Sequence, residues 1–199
     1  MKYSKVVDYF NSEDRQDDIA MHVAASCILL NESVPTTFAM SLSESKFFLG
    51  SVFDSLCDQG DLCVASLRAL AALMLCVPNG KLVASIATNT EFLGTLVGVA
   101  KCMDDLLIDP LAVVLQVLCL SDSNALLSAT LGAHFPKESV HIVVRFSGKA
   151  FLRQTSLRLI SCLMITREGC RALQGQSEDV ALIVSGTDLS REWRLVRHM

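Results

Sequence analysis

Apolar runs recur along the chain at intervals of 45 residues. The four runs are Ala24–Leu30, Ala69–Leu75, Val114–Leu120 and Leu159–Ile165, and polar or helix-breaking residues follow each of them closely. Such a period is typical of one supersecondary unit that is copied along a chain. The pattern therefore predicts an α-helical repeat protein, and it leaves the binding partner unnamed.

The same period relates individual positions in the four units. A seat that is filled in a similar way in every unit indicates that each unit packs against its neighbours in the same manner. The rows that carry this inference are Ile28, Leu73, Leu118 and Leu163; Leu30, Leu75, Leu120 and Ile165; Thr37, Leu82, Leu127 and Ala172; and Val7, Val52, Val97 and Ile142.

Each unit is predicted to hold a long helix, a short helix and a third helix. Glycine, proline, serine and asparagine mark the breaks between them. The long helices are expected at about 15–30, 61–76, 110–120 and 149–166, the short ones at 36–42, 81–87, 124–131 and 168–173, and the third ones at 44–57, 90–103, 137–146 and 178–184. Pro110 is expected in the first turn of its helix. A β-strand at Val140–Phe146 is the alternative, but strict alternation is absent there.

The whole chain, residues 1–199, is predicted to form a single domain. The repeats are placed at about 11–58, 59–104, 105–148 and 149–187, with partial units at 1–10 and 188–199. The chain is therefore expected to be a solenoid cut at both ends, or one that is closed by divergent caps. Terminal units of solenoids need a polar outer face, and the arginines of the last segment are candidates for one.

A helix triplet of this length resembles the armadillo repeat, with the HEAT repeat as the neighbouring possibility. The resemblance implies an all-α, right-handed α-α superhelix of about four repeats, in which the long helices line a concave groove. Peptide-binding armadillo proteins often carry Trp on the long helix and Asn four residues later. The corresponding Trp seats here are Val23, Arg68, Val113 and Arg158, and the Asn seats are Cys27, Ala72, Val117 and Cys162. This departure argues against extended-peptide binding of the nuclear-import kind.

The groove expected from this register is apolar with two cations, Arg68 and Arg158. Gln116 is the one amide inside its apolar run and is expected to add a hydrogen bond. Arginine recognises carboxylates through a bidentate fork, so an amphipathic helix or peptide with an acidic edge is the expected partner. The alternative is that both arginines are solvated surface residues.

Composition narrows the class of protein further. Hydrophobic residues make up 51% of the 199 positions and the net charge is −4, which is too apolar for disorder and lacks the basic run of a nucleic-acid binder. No signal peptide or membrane-spanning apolar stretch is visible, so an intracellular protein of the cytoplasm or nucleus is expected. The eight cysteines contain no Cys-x-x-Cys pair, so most are expected to be small buried apolar residues.

No catalytic, metal-binding or cofactor-binding motif is recognisable. The four histidines lie outside nucleophile and zinc motifs, and Pro136 separates His134 from His141. The sequence therefore predicts a non-enzymatic scaffold or adaptor without cofactor or metal, which binds a protein through its groove or an exposed end. The alternative is a fragment or short form of a larger repeat protein whose apolar ends assemble or self-associate.

Overall fold

The computed structural model describes residues 3–13, 18–31, 36–45, 47–58, 60–102, 105–147 and 152–185, and these ranges contain α-helices and no β-strand. The all-α prediction is confirmed. The helices of the described ranges are α1 (Tyr3–Asn11), α2 (Asp18–Leu29), α3 (Thr36–Ser43), α4 (Phe48–Asp58), α5 (Asp61–Cys76), α6 (Lys81–Thr88), α7 (Thr90–Cys102), α8 (Asp105–Leu120), α9 (Asn124–His134), α10 (Pro136–Ser147), α11 (Arg153–Leu163), α12 (Arg167–Gln174) and α13 (Ser177–Ser185).

The helices follow the predicted order, in which each unit holds a long helix, then a short helix, then a third helix. The triplets are α2–α4, α5–α7, α8–α10 and α11–α13, and α1 precedes them. The alternative of a strand at Val140–Phe146 is wrong, because this segment lies within α10. His134 ends α9 and His141 lies on α10, so the two histidines occupy different helices as Pro136 predicted. The predicted terminal unit at 188–199 lies outside the described residues.

Four predicted helix boundaries are wrong by three residues or more, and one of them is the end of α9, which lies at His134 instead of residue 131. Helix α8 begins at Asp105, so Pro110 lies inside it. The buried side chains of Leu107 and Ile108 extend the apolar face of this helix on the N-terminal side of the proline. Helix α4 begins at Phe48 instead of residue 44, because the Phe47 N–H donates to the carbonyl of Phe10.

The fourth boundary is the end of α11. This helix stops at Leu163, and Thr166 instead caps α12 by accepting a hydrogen bond from the Gly169 N–H at 3.1 Å. Residues 149–151 of the predicted long helix lie outside the described ranges.

Helices three elements apart in the chain contact one another in three series. The long helices form the series α2–α5–α8–α11, the third helices form α4–α7–α10–α13, and the short helices form α6–α9–α12. Helix α1 contacts α2 and α3, as α10 contacts α11 and α12, so α1 occupies the place of a third helix.

Side-chain hydrogen bonds join neighbouring members of each series. Every one of these bonds links residues between 43 and 47 positions apart, which is close to the predicted period. They are Cys76 Sγ to Leu29 O at 3.5 Å, Asp122 N to Asn79 Oδ1 at 3.1 Å, Thr130 Oγ1 to Ala87 O at 3.1 Å and Arg145 Nη1 to Lys101 O at 2.7 Å. A Lys101–Glu138 ion pair of 3.8 Å adds to the link between α7 and α10.

The core is continuous through the described helices, and α5 is its most enclosed element. Between Cys63 and Met74, every residue of α5 except Arg68 is buried. Helix α5 contacts α2, α4 and α8. A helix that is apolar on nearly all sides requires neighbours on nearly all sides, so α5 depends on both adjoining units.

Two helical glycines give a matched test of this packing. A Cβ added to Gly132 on α9 would clash with the side chain of Thr166, whose Cβ lies at 2.9 Å, whereas a Cβ added to Gly98 on α7 meets nothing within 4 Å. We expect Gly98→Ala to raise the free energy of unfolding by about 0.5–1 kcal/mol through helix propensity. We expect Gly132→Ala to lower it by about 1–3 kcal/mol through overpacking. Urea unfolding measures both, and equal shifts of the same sign would contradict the α9–α12 contact.

Candidate protein-binding face

The C-terminal ends of the long helices lie along one edge of the molecule. Cys76, the last residue of α5, donates to the carbonyl of Leu29, the last residue of α2. Asn79 after α5 accepts from the Asp122 N–H after α8. Cys162 near the end of α11 lies 3.8 Å from the carbonyl of Asn124, the first residue after the turn that ends α8. The four helices therefore run in the same direction.

One of the apolar rows lies exposed along this edge. Leu30 is 67% exposed, Leu75 55%, Leu120 52% and Ile165 58%. We call these four residues the apolar edge. The expectation that every apolar row packs between units is wrong for this one, because each member lies at or just past the end of its helix. In the row two positions earlier, Leu73, Leu118 and Leu163 are fully buried and Ile28 is half-buried.

The predicted cations lie on the same solvent-facing side of the long helices. Arg68 on α5 is exposed, and Arg158 on α11 is half-buried. Gln116 on the intervening α8 is also half-buried. Within the described residues, the structure shows no ion pair for Arg68 or Arg158. Asp109 in the second turn of α8 and Asp61 at the start of α5 are exposed acids on the long helices.

A row of smaller side chains lies between the arginines and the apolar edge. Ala72, Val117 and Cys162 are buried there, and Cys27 is exposed. These are the positions at which the predicted armadillo register would place Asn. We call the solvent-facing side of α2, α5, α8 and α11, with its arginine row, small-residue row and apolar edge, the docking face. It offers an apolar surface with cations along one side.

The described cysteines occupy three environments. Cys63, Cys119 and Cys162 are buried, Cys170 is half-buried, and Cys27, Cys57 and Cys76 are exposed, so the expectation that most cysteines are buried is wrong for the described residues. Partial burial raises the pKa of the Cys76 thiol. The side chain of Cys102 lies outside the described residues.

Cys119 on α8 and Cys162 on α11 influence each other's pKa. The neighbouring Cys119 thiol lowers the pKa of Cys162, burial opposes it, and the Ser128 hydroxyl, 2.8 Å from the Cys162 sulfur, acts in the same direction as Cys119. The Cys162 thiol and burial raise the pKa of Cys119 well above its usual range, while Arg158 acts in the opposite direction.

A serine and a histidine also lie at the distance used for nucleophile activation. His22 Nε2 and Ser51 Oγ are 3.0 Å apart. However, both residues are buried, and the imidazole packs beside the rings of Phe10 and Phe48, at centroid distances of 5.0 and 6.0 Å. A substrate has no access to this hydroxyl, so the pair is a packing element of the α2–α4 interior.

Neither metal ligands nor a membrane span stand out in the described ranges. No group of three or more His, Cys, Asp or Glu residues there is arranged to hold a metal ion. No single described helix is long and apolar enough to cross a membrane, although two bent helix pairs reach the required length and composition together.

No protein-family model, curated protein or solved structure matches the chain. The armadillo resemblance therefore rests on the sequence pattern alone.

The sequence contained a signal for the exposed apolar row, which the prediction missed. The apolar edge was visible as the row of Leu30, Leu75, Leu120 and Ile165, each placed close before a break. The proximity of Cys119 to Cys162 has no comparable signal, because the two residues belong to different rows of the 45-residue period.

Leu73 and Leu75 on α5 provide a test of which row faces solvent. Leu73 is fully buried and Leu75 is 55% exposed. We expect Leu73→Ala to lower the free energy of unfolding by about 2–5 kcal/mol. We expect Leu75→Ala to change it by less than about 1 kcal/mol. Chemical denaturation followed by circular dichroism measures both, and a loss at Leu75 as large as that at Leu73 would refute the assignment of the apolar edge.

Proposed function

We propose that the protein is a non-catalytic scaffold of the armadillo or HEAT type, and that its docking face binds an amphipathic helix of a partner protein. The four units are proposed to wind as a right-handed superhelix. The observation that carries the functional proposal is the apolar edge: four large apolar side chains at equivalent positions, each more than half exposed. Single exposed leucines are common on proteins, but an aligned set of apolar residues is typical of an interaction site.

The spacing of the apolar edge favours a helical ligand. Packed helices lie about 8–10 Å apart, so four neighbouring long helices span roughly 24–30 Å. A ligand helix rises about 10.5 Å over seven residues, and about 20 residues cover 30 Å. A helix laid across α2, α5, α8 and α11, with an apolar residue at every seventh position, thus presents about one such residue to each long helix.

Charge favours an acidic flank on that ligand. Arg68 precedes Leu75 by seven residues of α5, so it lies about 10 Å from the apolar edge along that helix. Arg158 precedes Ile165 by the same number of residues, with Ile165 two residues past the end of α11. This distance is close to the diameter of a helix with its side chains. A ligand whose apolar side lies on the apolar edge therefore has one flank beside the two guanidinium groups, where glutamates form bidentate pairs.

The alternative interpretation of the arginines is that they only solubilise the surface. Exposed ion pairs contribute little in water, so the arginine row is expected to select the orientation of the ligand more than to supply affinity. Most of the affinity is assigned to the apolar edge. The two contributions are separable by mutation.

A second candidate function is self-association through the N-terminal end. Tyr3 on α1 and Met40 on α3 are each 42% exposed, and the Tyr3 ring packs on Phe38 at 5.4 Å. A shallow depression between α1 and α3 adjoins them. The occupant assigned to this surface is a second copy of the chain. The docking face remains the better-supported site, because its exposed apolar residues are more numerous and aligned.

Binding of a synthetic helix tests the leading proposal. The probe is a peptide of about 20 residues with leucine at every seventh position and glutamates on one flank. We expect fluorescence anisotropy to give a dissociation constant of roughly 1–100 μM. Arg68→Glu with Arg158→Glu should weaken binding at least tenfold, or about 1.4 kcal/mol. Leu75→Gln with Leu120→Gln should weaken it at least as much.

A matched charge control separates the docking face from net charge. Lys137→Glu with Arg171→Glu makes the same change in charge at two exposed positions of α10 and α12. This control should leave affinity for the probe within about twofold at physiological salt, where the Debye length is about 8 Å. Equal weakening by both charge variants, or no effect of the leucine substitutions, would refute the docking face.

Sedimentation measures the second candidate. Self-association through α1 and α3 predicts a dimer that forms with increasing concentration and is lost in the Tyr3→Ser, Met40→Ser variant. Each substitution alters a partly exposed side chain, so folding should be retained. A monomer at every concentration up to roughly 100 μM, equivalent to a dissociation free energy below about 5.5 kcal/mol, would eliminate this candidate.

A further inference from the structure

The exposed apolar side chains of the docking face are concentrated on α2. Ile19 and Val23 are 47% and 44% exposed, and Leu30 of the apolar edge follows them. Val23 and Leu30 lie four and eleven residues after Ile19, or about one and three helical turns. All three side chains therefore lie along one side of α2 and the turn that ends it. Large apolar residues that are exposed together are typical of interaction sites, so the apolar anchor of a ligand is expected on α2.

The charges of the docking face follow a different order along the long helices. Helix α5 carries Arg68 and helix α11 carries Arg158. The equivalent seats on α2 and α8 hold Val23 and Val113. Helix α8 instead carries the exposed Asp109, one turn before Val113. From α2 to α11, the long helices thus present an apolar patch, a cation, an anion and a cation.

Asp109 lies within reach of the same ligand helix as the arginines. It precedes Leu120 by about 16 Å along α8, whereas Arg68 precedes Leu75 by about 10 Å along α5. The difference is about one helical turn, which the long stem of a lysine side chain can bridge. Asp61 precedes Leu75 by about 21 Å and lies beyond a helix that rests on the apolar edge. Within the part of the chain that the structure describes, Asp109 forms no ion pair that would neutralise it.

We propose that the partner helix carries a fixed order of side chains along the docking face. A large apolar residue lies on α2, an acidic residue beside Arg68, a basic residue beside Asp109 and a second acidic residue beside Arg158. The proposal rests on the proposed function, because it requires a helix that crosses the long helices, and it adds a specific register. The observation that carries it is the order of exposed groups, with one group on each long helix.

This order selects one register of the ligand. Neighbouring long helices lie about 8–10 Å apart, so charges at every seventh position on one flank of the ligand meet α5, α8 and α11 in turn. A ligand that is shifted by one interval places its basic residue beside an arginine and an acidic residue beside Asp109. Like charges in contact disfavour binding, so the wrong registers are rejected even though each exposed ion pair contributes little affinity.

Three versions of the synthetic helix test the order of charges. They differ only at the flank positions that face α5, α8 and α11, which hold Glu-Lys-Glu, Glu-Glu-Glu or Lys-Glu-Lys. We expect fluorescence anisotropy to rank the first peptide tightest, the second about two- to fivefold weaker and the third weakest, because only the first matches all three charges. Salt at about 1 M should remove the ranking, since the Debye length falls to about 3 Å.

The outcomes separate this proposal from the proposed function. Equal affinities of the three peptides, with binding still weakened by Leu75→Gln and Leu120→Gln, would overturn the charge order and leave the docking face intact. Any other ranking of the three peptides would also overturn the charge order. No binding by any of them would overturn both the charge order and the docking face.

Substitution of Asp109 tests the middle position directly. Asp109→Lys should reverse the preference, so that Glu-Glu-Glu binds about two- to fivefold more tightly than Glu-Lys-Glu, and the milder Asp109→Asn should abolish it. Asp54→Lys changes an exposed acid of α4 and should leave the preference as in the wild type. Each variant and the two peptides form a double-mutant cycle. No coupling at Asp109, or equal coupling at Asp54, would contradict the assigned contact. Circular dichroism checks that each variant is folded.

The apolar anchor is tested in the same assay. Ile19→Ser with Val23→Ser should weaken binding of the Glu-Lys-Glu peptide by roughly fivefold or more, because apolar contact area on α2 is lost. Tyr3→Ser with Met40→Ser alters two similarly exposed side chains outside the docking face and should leave the affinity within about twofold. Equal weakening by the two pairs of substitutions would refute the anchor on α2.

Discussion

The enclosure of α5 is the constraint on which the rest of the structure depends. From Cys63 to Met74 this helix exposes only Arg68, so its apolar side chains need α2 on one side, α8 on the other and α4 behind them. Small residues such as Ala65, Ala69 and Ala72 fill these contacts, and close packing leaves little room for a shift between neighbours. The helices before and after α5 are therefore fixed in direction and register by one segment.

The docking face follows from this constraint. Since α2, α5, α8 and α11 pack side by side in the same direction, equivalent residues on their outer side must align. The buried residues of α5 supply the packing energy that holds this alignment, so the outer positions are free to carry other chemistry. Arg68 is the one exposed residue between Cys63 and Met74, and Leu75 in the last turn of α5 is 55% exposed. An aligned apolar edge is thus a consequence of regular packing combined with leucines at the helix ends.

Much of this fold was predictable from the sequence, and the failures have identifiable causes. The apolar period placed the helices in the correct order, because burial follows the side-chain pattern over long segments. The predicted helix start at Pro110 was wrong because the burial of Leu107 and Ile108 extends the helix beyond the position that proline favours. The exposure of Leu75 was hidden for a different reason. The sequence of a helix that is apolar on nearly every side does not reveal which of its leucines faces solvent.

The His22–Ser51 contact was hidden for a third reason. It depends on α2 and α4 meeting at these two residues, and their separation of 29 positions matches neither the period nor a local motif. The sequence alone does not show which residues of two packed helices meet. By contrast, Arg68, Arg158 and Gln116 could be placed on adjoining long helices, since all three lie within the predicted long helices and the two arginines share one row.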